Sequence, residues 1–334
     1  MQFVEPSVTP YNEPDLQKKV ERCFRICYKS EDKIKEGSEQ FLTKLIYNDH
    51  KNKHWSPLEH GRVSIRVPFD VAHSITLWQV NHESAFISVR VIDKYGIVTG
   101  NFRAFMDFIY ADTSHLTDTR AGVEGAQMFL SAALHEEFPI LFEDKYPGVD
   151  PEDIYKSWWV AEAKDYQTFH IVTTRDVLQE LARHRSLSFS VESTRYCNYS
   201  KRGMTFTIPR PYAWADDIHW DELNDLDNMP EARRLASLRA AKDVNLMAMT
   251  FIDTCSLAEY TYNELIVAGH KPQEARMILP GGLKTELMLT GTLHAWKHFI
   301  DLRCDVAAHP QIRYIAEMIC EHLDNTYPDW YDKN

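Results

Sequence analysis

The chain has 334 residues, 44% apolar and 26% charged, a balance that supports a folded protein with a sizeable core. Its 37 basic and 49 acidic residues leave a net charge of −12, which speaks against a surface built to bind long nucleic acids. No stretch approaches the roughly 18 uninterrupted apolar residues of a membrane span, and the opening MQFVEPSVTP lacks the basic and apolar regions of a secretory signal. The six cysteines are scattered without CxxC spacing, so a cytoplasmic protein with reduced thiols is expected, with neither membrane nor nucleic acid as partner.

In chain order, Ile34, Phe41, Leu42, Leu45 and Ile46 predict an amphipathic helix over 31–49. Val63, Ile65 and Val67 alternate with Arg62, Ser64 and Arg66 and predict a strand over 60–67, and 86–92 reads as a second strand. Helical spacing returns over 101–110 and 122–138, followed by an acidic, Pro-bearing loop over 142–154. A short strand over 169–172, a helix over 174–184 and a strand over 205–208 that stops at Pro209 come next. A long helical pattern over 231–268 ends at Gly269, Pro272 opens a short helix, and Leu279-Pro280-Gly281-Gly282 breaks it. Two helices, over 290–302 and 310–323, complete an α+β chain: a small antiparallel sheet packed with several long helices, one domain carrying a large insertion.

The densest chemistry lies over 183–202. There Arg183, Arg185, Arg195, Lys201 and Arg202 stand against the single carboxylate Glu192, a local basic patch in an acidic chain. Guanidinium groups offer planar forks to phosphate or carboxylate oxygens. Five serines and a threonine add neutral donors, and Tyr196 and Tyr199 offer faces to planar rings. The pattern suits a phosphorylated, aromatic small molecule; a solvated basic turn at a helix end accounts for the spacing equally well.

Arg183-His184-Arg185, seven residues, then Ser193 resembles the signature of the flavin-dependent thymidylate synthases, and the continuation Ser193-Thr194-Arg195-Tyr196 is similar too. His54-Trp55-Ser56-Pro57-Leu58-Glu59-His60 resembles the family's upstream His-x-(Ser/Thr)-Pro-x-Glu-His element. Ala275-Arg276-x-x-Leu279-Pro280, then Thr285-Glu286, Thr290-Gly291, Trp296, His298-Phe299 and Leu302-Arg303, is a third match. The resemblance covers roughly 22–67 and 167–323, leaving an α/β insertion at about 68–164 within a single catalytic domain spanning 1–334.

The resemblance implies reductive methylation of dUMP to dTMP, with methylenetetrahydrofolate as carbon donor and NADPH as reductant through FAD, in a homotetramer with shared active sites. The family needs no enzymic nucleophile, so Cys197 reads as a packing residue. Carried over by position, Arg303 is the catalytic residue that polarises the uracil, and Glu180, Arg183, Glu192, Ser193, Thr194 and Arg195 hold dUMP. Ser56, Arg183, His184, Arg185 and His298 face FAD, as do positions Val191, Thr292 and His294, and His54 and Tyr196 face the folate or nicotinamide. The histidines His54, His60, His184, His294 and His298 sit in no HExxH or Cys-His arrangement, so no metal is expected.

The chain departs from the family pattern at Cys27, Val191, Glu286, Thr292 and His294. Thr99-Gly100-Asn101-Phe102-Arg103 carries, inside the insertion, the Asn and Arg missing at 292 and 294, so Asn101 and Arg103 are expected to supply ligand contacts in their place; a helix start with a solvated arginine reads equally well. Lys284 is expected to replace the phosphate-gripping arginine absent at 286. Two other functions fit parts of the sequence: a non-catalytic nucleotide- or RNA-binding protein keeping the basic cluster, and a flavoprotein acting on a different pyrimidine.

Overall fold

The computed structural model describes residues 1–47, 55–82, 87–201, 203–225, 246–328 and 330–331. In chain order, β1 (Gln2–Val4) and β2 (Ser7–Pro10) precede α1 (Leu16–Tyr28), α2 (Phe41–Tyr47), β3 (Arg62–Pro68) and α3 (Phe69–His82). Strands β4 (Ile87–Ile92) and β5 (Tyr95–Asn101), helices α4 (Phe102–Ile109) and α5 (Arg120–Glu137), and β6 (Trp159–Glu162) follow. The chain then forms β7 (Tyr166–Thr174), α6 (Arg175–Leu181), β8 (Ser188–Val191), β9 (Thr205–Thr207), α7 (Leu246–Val267), β10 (Lys284–Thr292), α8 (Leu293–Arg303) and α9 (Pro310–Thr326), with short helical turns between. These elements form two compact units. The first is Met1–Tyr11, Ile26–Lys29 and Gln167–Asn334; the second is Asn12–Arg25 and Ser30–Tyr166.

The second unit is built on the antiparallel sheet β4-β5-β3-β6. In β3 the alternation is obeyed: Val63, Ile65 and Val67 are fully buried while Arg62, Ser64 and Arg66 stay half-buried. Helix α3 packs on α5 and β5, and Trp78, Phe102, Phe105, Phe108 and Phe129 fill the core. Helix α4 starts where it does because Asn101 is its N-cap, Oδ1 accepting from Ala104 N at 2.8 Å. The segment 31–49 differs from expectation: turns at Glu31–Lys33 and Ser38–Gln40 precede the short α2, and 48–49 lie outside the described residues. Gly37 at φ +74° interrupts the helical path.

The first unit carries the sheet β2-β7-β10-β8, with β2 antiparallel to β7 (Val8 opposite Ile171) and β8 antiparallel to β10 (Phe189 opposite Leu289). A parallel pair, β1 with β9, stands apart from the antiparallel sheet that the sequence suggests. Helices α8 and α9 pack against each other and onto this sheet, burying Phe169, Trp296, Phe299, Ile312 and Ile319. A second core gathers Phe3, Phe206, Ile252, Cys255 and Tyr262 around α7. Helical spacing over 290–302 is corrected in its first three residues: 290–292 finish β10, and Thr292 Oγ1 accepts from Ala295 N to start α8 at Leu293. Of the long helix expected over 231–268, the described part is α7, ending before Gly269 at φ +95°; 226–245 lie outside the described residues.

The capping role of Asn101 is measurable by urea unfolding. Asn101→Ala should lose about 1 kcal/mol of unfolding free energy, whereas a loss below about 0.3 kcal/mol would show that the cap contributes nothing to the second unit.

Candidate active site

Thr174 Oγ1 accepts from Val177 N and starts α6, whose Val177, Leu178 and Leu181 enter the core. The helix unwinds through bonds from Arg183 N to Glu180 O and from His184 N to Leu181 O, and Leu187 N then bonds His184 O before β8 begins. This turn holds Arg183 and Arg185 in solvent while the His184 ring points inward, 6% exposed. The ring lies edge-on to Phe299 at 4.8 Å and beside His298 at 6.2 Å. Gly291 allows the close approach, since a Cβ there would overlap Leu187 Cδ2.

Arg303, at the last turn of α8, is pinned by three bonds. Its Nε donates to His184 Nε2 at 2.8 Å, Nη1 to Glu180 Oε2 at 3.0 Å, and Nη2 to the Glu180 carbonyl at 3.3 Å. A guanidinium N–H can only donate, so His184 Nε2 accepts and the ring proton sits on Nδ1. Burial, with the Arg303 charge and His298 adding to it, pushes His184 down to about 4 and keeps it neutral. Two of the five guanidinium hydrogens, one on each terminal nitrogen, remain to donate.

His294, His298 and Leu302 recur every four residues along α8 and face the same way, lining with Arg183, His184, Arg185, Ser186, Ala295 and Arg303 a cavity of about 480 Å³. The structure therefore brings Arg183, His184, Arg185, His294, His298 and Arg303 together, with Glu180 behind Arg303. Guanidinium forks and imidazole rings around a cavity of this size suit a planar ring system bearing phosphate, the chemistry of a flavin nucleotide.

A second group forms after β8. Glu192 N bonds Glu286 O, and Ser193 N bonds Cys27 O. The Glu192 carboxylate, 2% exposed, accepts from Tyr199 Oη at 3.0 Å and pairs with Lys29 Nζ at 3.3 Å and Lys284 Nζ at 3.2 Å. Lys284 also pairs with Glu286, which accepts from His170 Nε2 at 3.2 Å. The His170 bond, against burial and with Lys284 assisting, lowers Glu286 to about 2; burial pulls Lys284 down, but Glu192 and Glu286 more than reverse it. Lys284 is thus charge-compensated by two carboxylates. Arg195 and Tyr196 are exposed, the Arg195 guanidinium 5.4 Å from the Tyr196 ring centre, and Thr194 is buried.

Tyr199 corrects the reading of its ring as an open face: it is 4% exposed, packed against Tyr262, and burial with the nearby Glu192 carboxylate raises its hydroxyl far above the usual range. Val191 pairs with Leu287 in the sheet, and the Thr292 hydroxyl caps α8. Ser56, Asn101 and Arg103 belong to the second unit, where Asn101 caps α4 and Arg103 pairs with Glu59 at 3.3 Å and Asp107 at 3.4 Å. His54 and Arg202 lie outside the described residues. Sequence reasoning missed Lys29, His170, His309 and Tyr212, which sit in no motif and reach their partners only through the fold.

Fold and cavity together define an α+β protein with an arginine- and histidine-lined cavity. Residues 156–329 match the family model described as thymidylate synthase complementing protein, and the chain belongs to that family. A probable flavin-dependent thymidylate synthase of Mycobacterium phage L5 is 30% identical over 168 residues, 49% of this chain and 60% of that protein. A flavin-dependent thymidylate synthase of Haloarcula marismortui is 27% identical over 166 residues, 48% of this chain and 62% of that protein. The chain thus spans about 60% of the length of these curated relatives. The crystal structure of thymidylate synthase X from Helicobacter pylori with FAD and dUMP is 19% identical with a TM-score of 0.34, over 49% of this chain and 72% of that one.

Two outcomes follow from the charge arrangement. Folded His184 takes a proton near 4 and the unfolded residue near 6.5, so the unfolded chain binds more protons between them and stability falls as pH drops through that window. Calorimetry should show Tm falling from pH 6.5 to 4 more steeply in the parent than in His184→Asn; equal slopes would refute the neutral, buried histidine. Lys284→Ala leaves the Glu192 carboxylate beside Glu286 with Lys29 and Tyr199 on its Oε1 but no described residue on its Oε2, and should cost about 3 kcal/mol in urea unfolding. Adding Glu286→Gln should recover part of that loss, and no recovery would mean the two carboxylates do not share the ammonium.

Proposed function

We propose that this chain is a flavin-dependent thymidylate synthase that converts dUMP to dTMP, with methylenetetrahydrofolate as carbon donor and NADPH as reductant. Family membership and the names of the relatives support the reading. The observation that carries it is Arg303, held at the rim of the cavity by neutral His184 and by Glu180 with two N–H groups left to donate.

A bound flavin, reduced at the expense of NADPH, would supply the hydride, so the protein's task is to hold, orient and stabilise. Cys197, 6% exposed in the core, fits a chemistry without an enzymic nucleophile. Arg303 would direct its two remaining hydrogens at a pyrimidine carbonyl and stabilise negative charge there; a permanently charged guanidinium in a fixed orientation costs no reorganisation as that charge develops. Arg183 and Arg185, exposed beside the cavity, would take phosphate oxygens of FAD, with Arg183 also near the nucleotide, and His184, His294 and His298 would line the flavin.

For dUMP, Ser193 and Arg195 would supply donors from the loop after β8, beside buried Thr194. Lys284 would act on the nucleotide through Glu192, which it fixes from the buried side. Tyr196, exposed beside Tyr28 at 5.5 Å, would offer a face to folate or nicotinamide. In this reading the chain is one cytoplasmic catalytic domain with an insertion at about 68–164, working as a homotetramer. The exposed Leu246, Met247, Leu257 and Tyr260 on α7 support a subunit contact there.

The test is dTMP formation by purified protein with dUMP, methylenetetrahydrofolate, NADPH and FAD, omitting each in turn. Arg303→Ala should lower turnover about 100-fold or more with FAD absorbance retained. Product formed without flavin, or an Arg303→Ala protein as fast as the parent, would overturn the assignment.

A further inference from the structure

Glu180 does more than meet Arg303. While Oε2 and the backbone carbonyl of Glu180 take the two terminal nitrogens of Arg303, Oε1 lies 3.8 Å from His309 Nδ1. His309 stands immediately before α9, and its Nε2 lies 3.2 Å from Tyr212 Oη. At 3.8 Å the Nδ1 edge of the ring faces the carboxylate in an electrostatic contact longer than a hydrogen bond, and with the ring proton on Nδ1 the Nε2 atom accepts from the tyrosine hydroxyl. Tyr212 stacks on Trp214 at 6.3 Å with 10° between the planes, and Trp214 packs on Phe251 of α7. A continuous line of contacts therefore runs from a packed aromatic surface through Tyr212, His309 and Glu180 to the guanidinium at the cavity.

We propose that His309, braced by Tyr212, is a positioning residue for Arg303 that fixes the guanidinium by holding the Glu180 carboxylate. The proposal rests on the reading of Arg303 given above. Without His309 the Glu180 side chain, 30% exposed, keeps only its bond to Arg303 and can turn toward water, taking Nη1 with it. Glu180 on α6 and Tyr212 on its loop face the His309 ring, with Arg303 on α8 behind that carboxylate.

The positioning role is read without substrate from hydrogen exchange of the Arg303 Nε–H, followed by NMR in the full chain. Exchange should quicken about tenfold in His309→Leu and return to within about twofold of the parent in His309→Asn, whose amide donates at the Nδ1 position. In turnover, His309→Leu should lower kcat about fivefold and leave the KM for dUMP within about twofold. Unchanged Arg303 exchange in His309→Leu, or His309→Asn exchanging as fast as His309→Leu at the parent's Tm, would overturn the proposal. If the parent makes no dTMP while the exchange pattern holds, the synthase reading fails and the positioning of Arg303 by His309 stands.

Discussion

The first unit's site depends on one constraint: a guanidinium held by acceptors from two places in one helix-and-turn segment. Glu180 gives Arg303 both its carboxylate and its backbone carbonyl, and His184, four residues on, gives a ring nitrogen. Glu180 sits in the last turn of α6 and His184 in the turn that leaves it, so the spacing is set by where the helix ends. Charge-assisted bonds of this kind are stronger than neutral ones, and a planar fork loses little freedom in making them. Helix end, turn and α8 thereby form one rigid frame for the cavity.

The same chain uses its basic residues in two opposite ways. Arg183, Arg185 and Arg195 remain in solvent, available to an anion, while Lys284 is 6% exposed between Glu192 and Glu286. A buried ammonium needs its counter-ions, because the desolvation cost otherwise exceeds any gain. Lys29, His170 and the Tyr199 hydroxyl complete the set around those carboxylates. The Lys284 network thus fixes the strand end from which the Glu192–Tyr196 loop departs, and the exposed guanidinium groups are the basic residues left facing solvent.

Much of this was legible in the sequence where the physics is local. The alternation in β3, the helix beginning near Thr174 and the basic run over 183–195 all show in neighbouring residues. Strand β10 did not show, because it is buried on both sides and its residues have no alternation to betray it. The start of α8 differs from the sequence expectation because Thr290 and Gly291 belong to the sheet strand β10 and Thr292 serves as the N-cap rather than as part of the helix. Lys284 illustrates the deeper limit: its sequence context offers a free cation, and only the fold brings Glu192, 92 residues away, to neutralise it.

The neutrality of His184 decides whether Arg303 stays aimed as it is at the cavity. Were its ring protonated, Nε2 would become a donor facing the Arg303 Nε–H, and the bond that orients the guanidinium would turn into repulsion. Burial against Phe299 and the charge of Arg303 act in the same direction, both disfavouring that proton. Arg303 and the histidine thus maintain each other: the cation keeps the ring neutral, and the neutral ring keeps the cation aimed. Glu180 completes the balance by pairing with Arg303, so that among the described residues Arg183 and Arg185 remain as the positive charge at the cavity without a carboxylate partner.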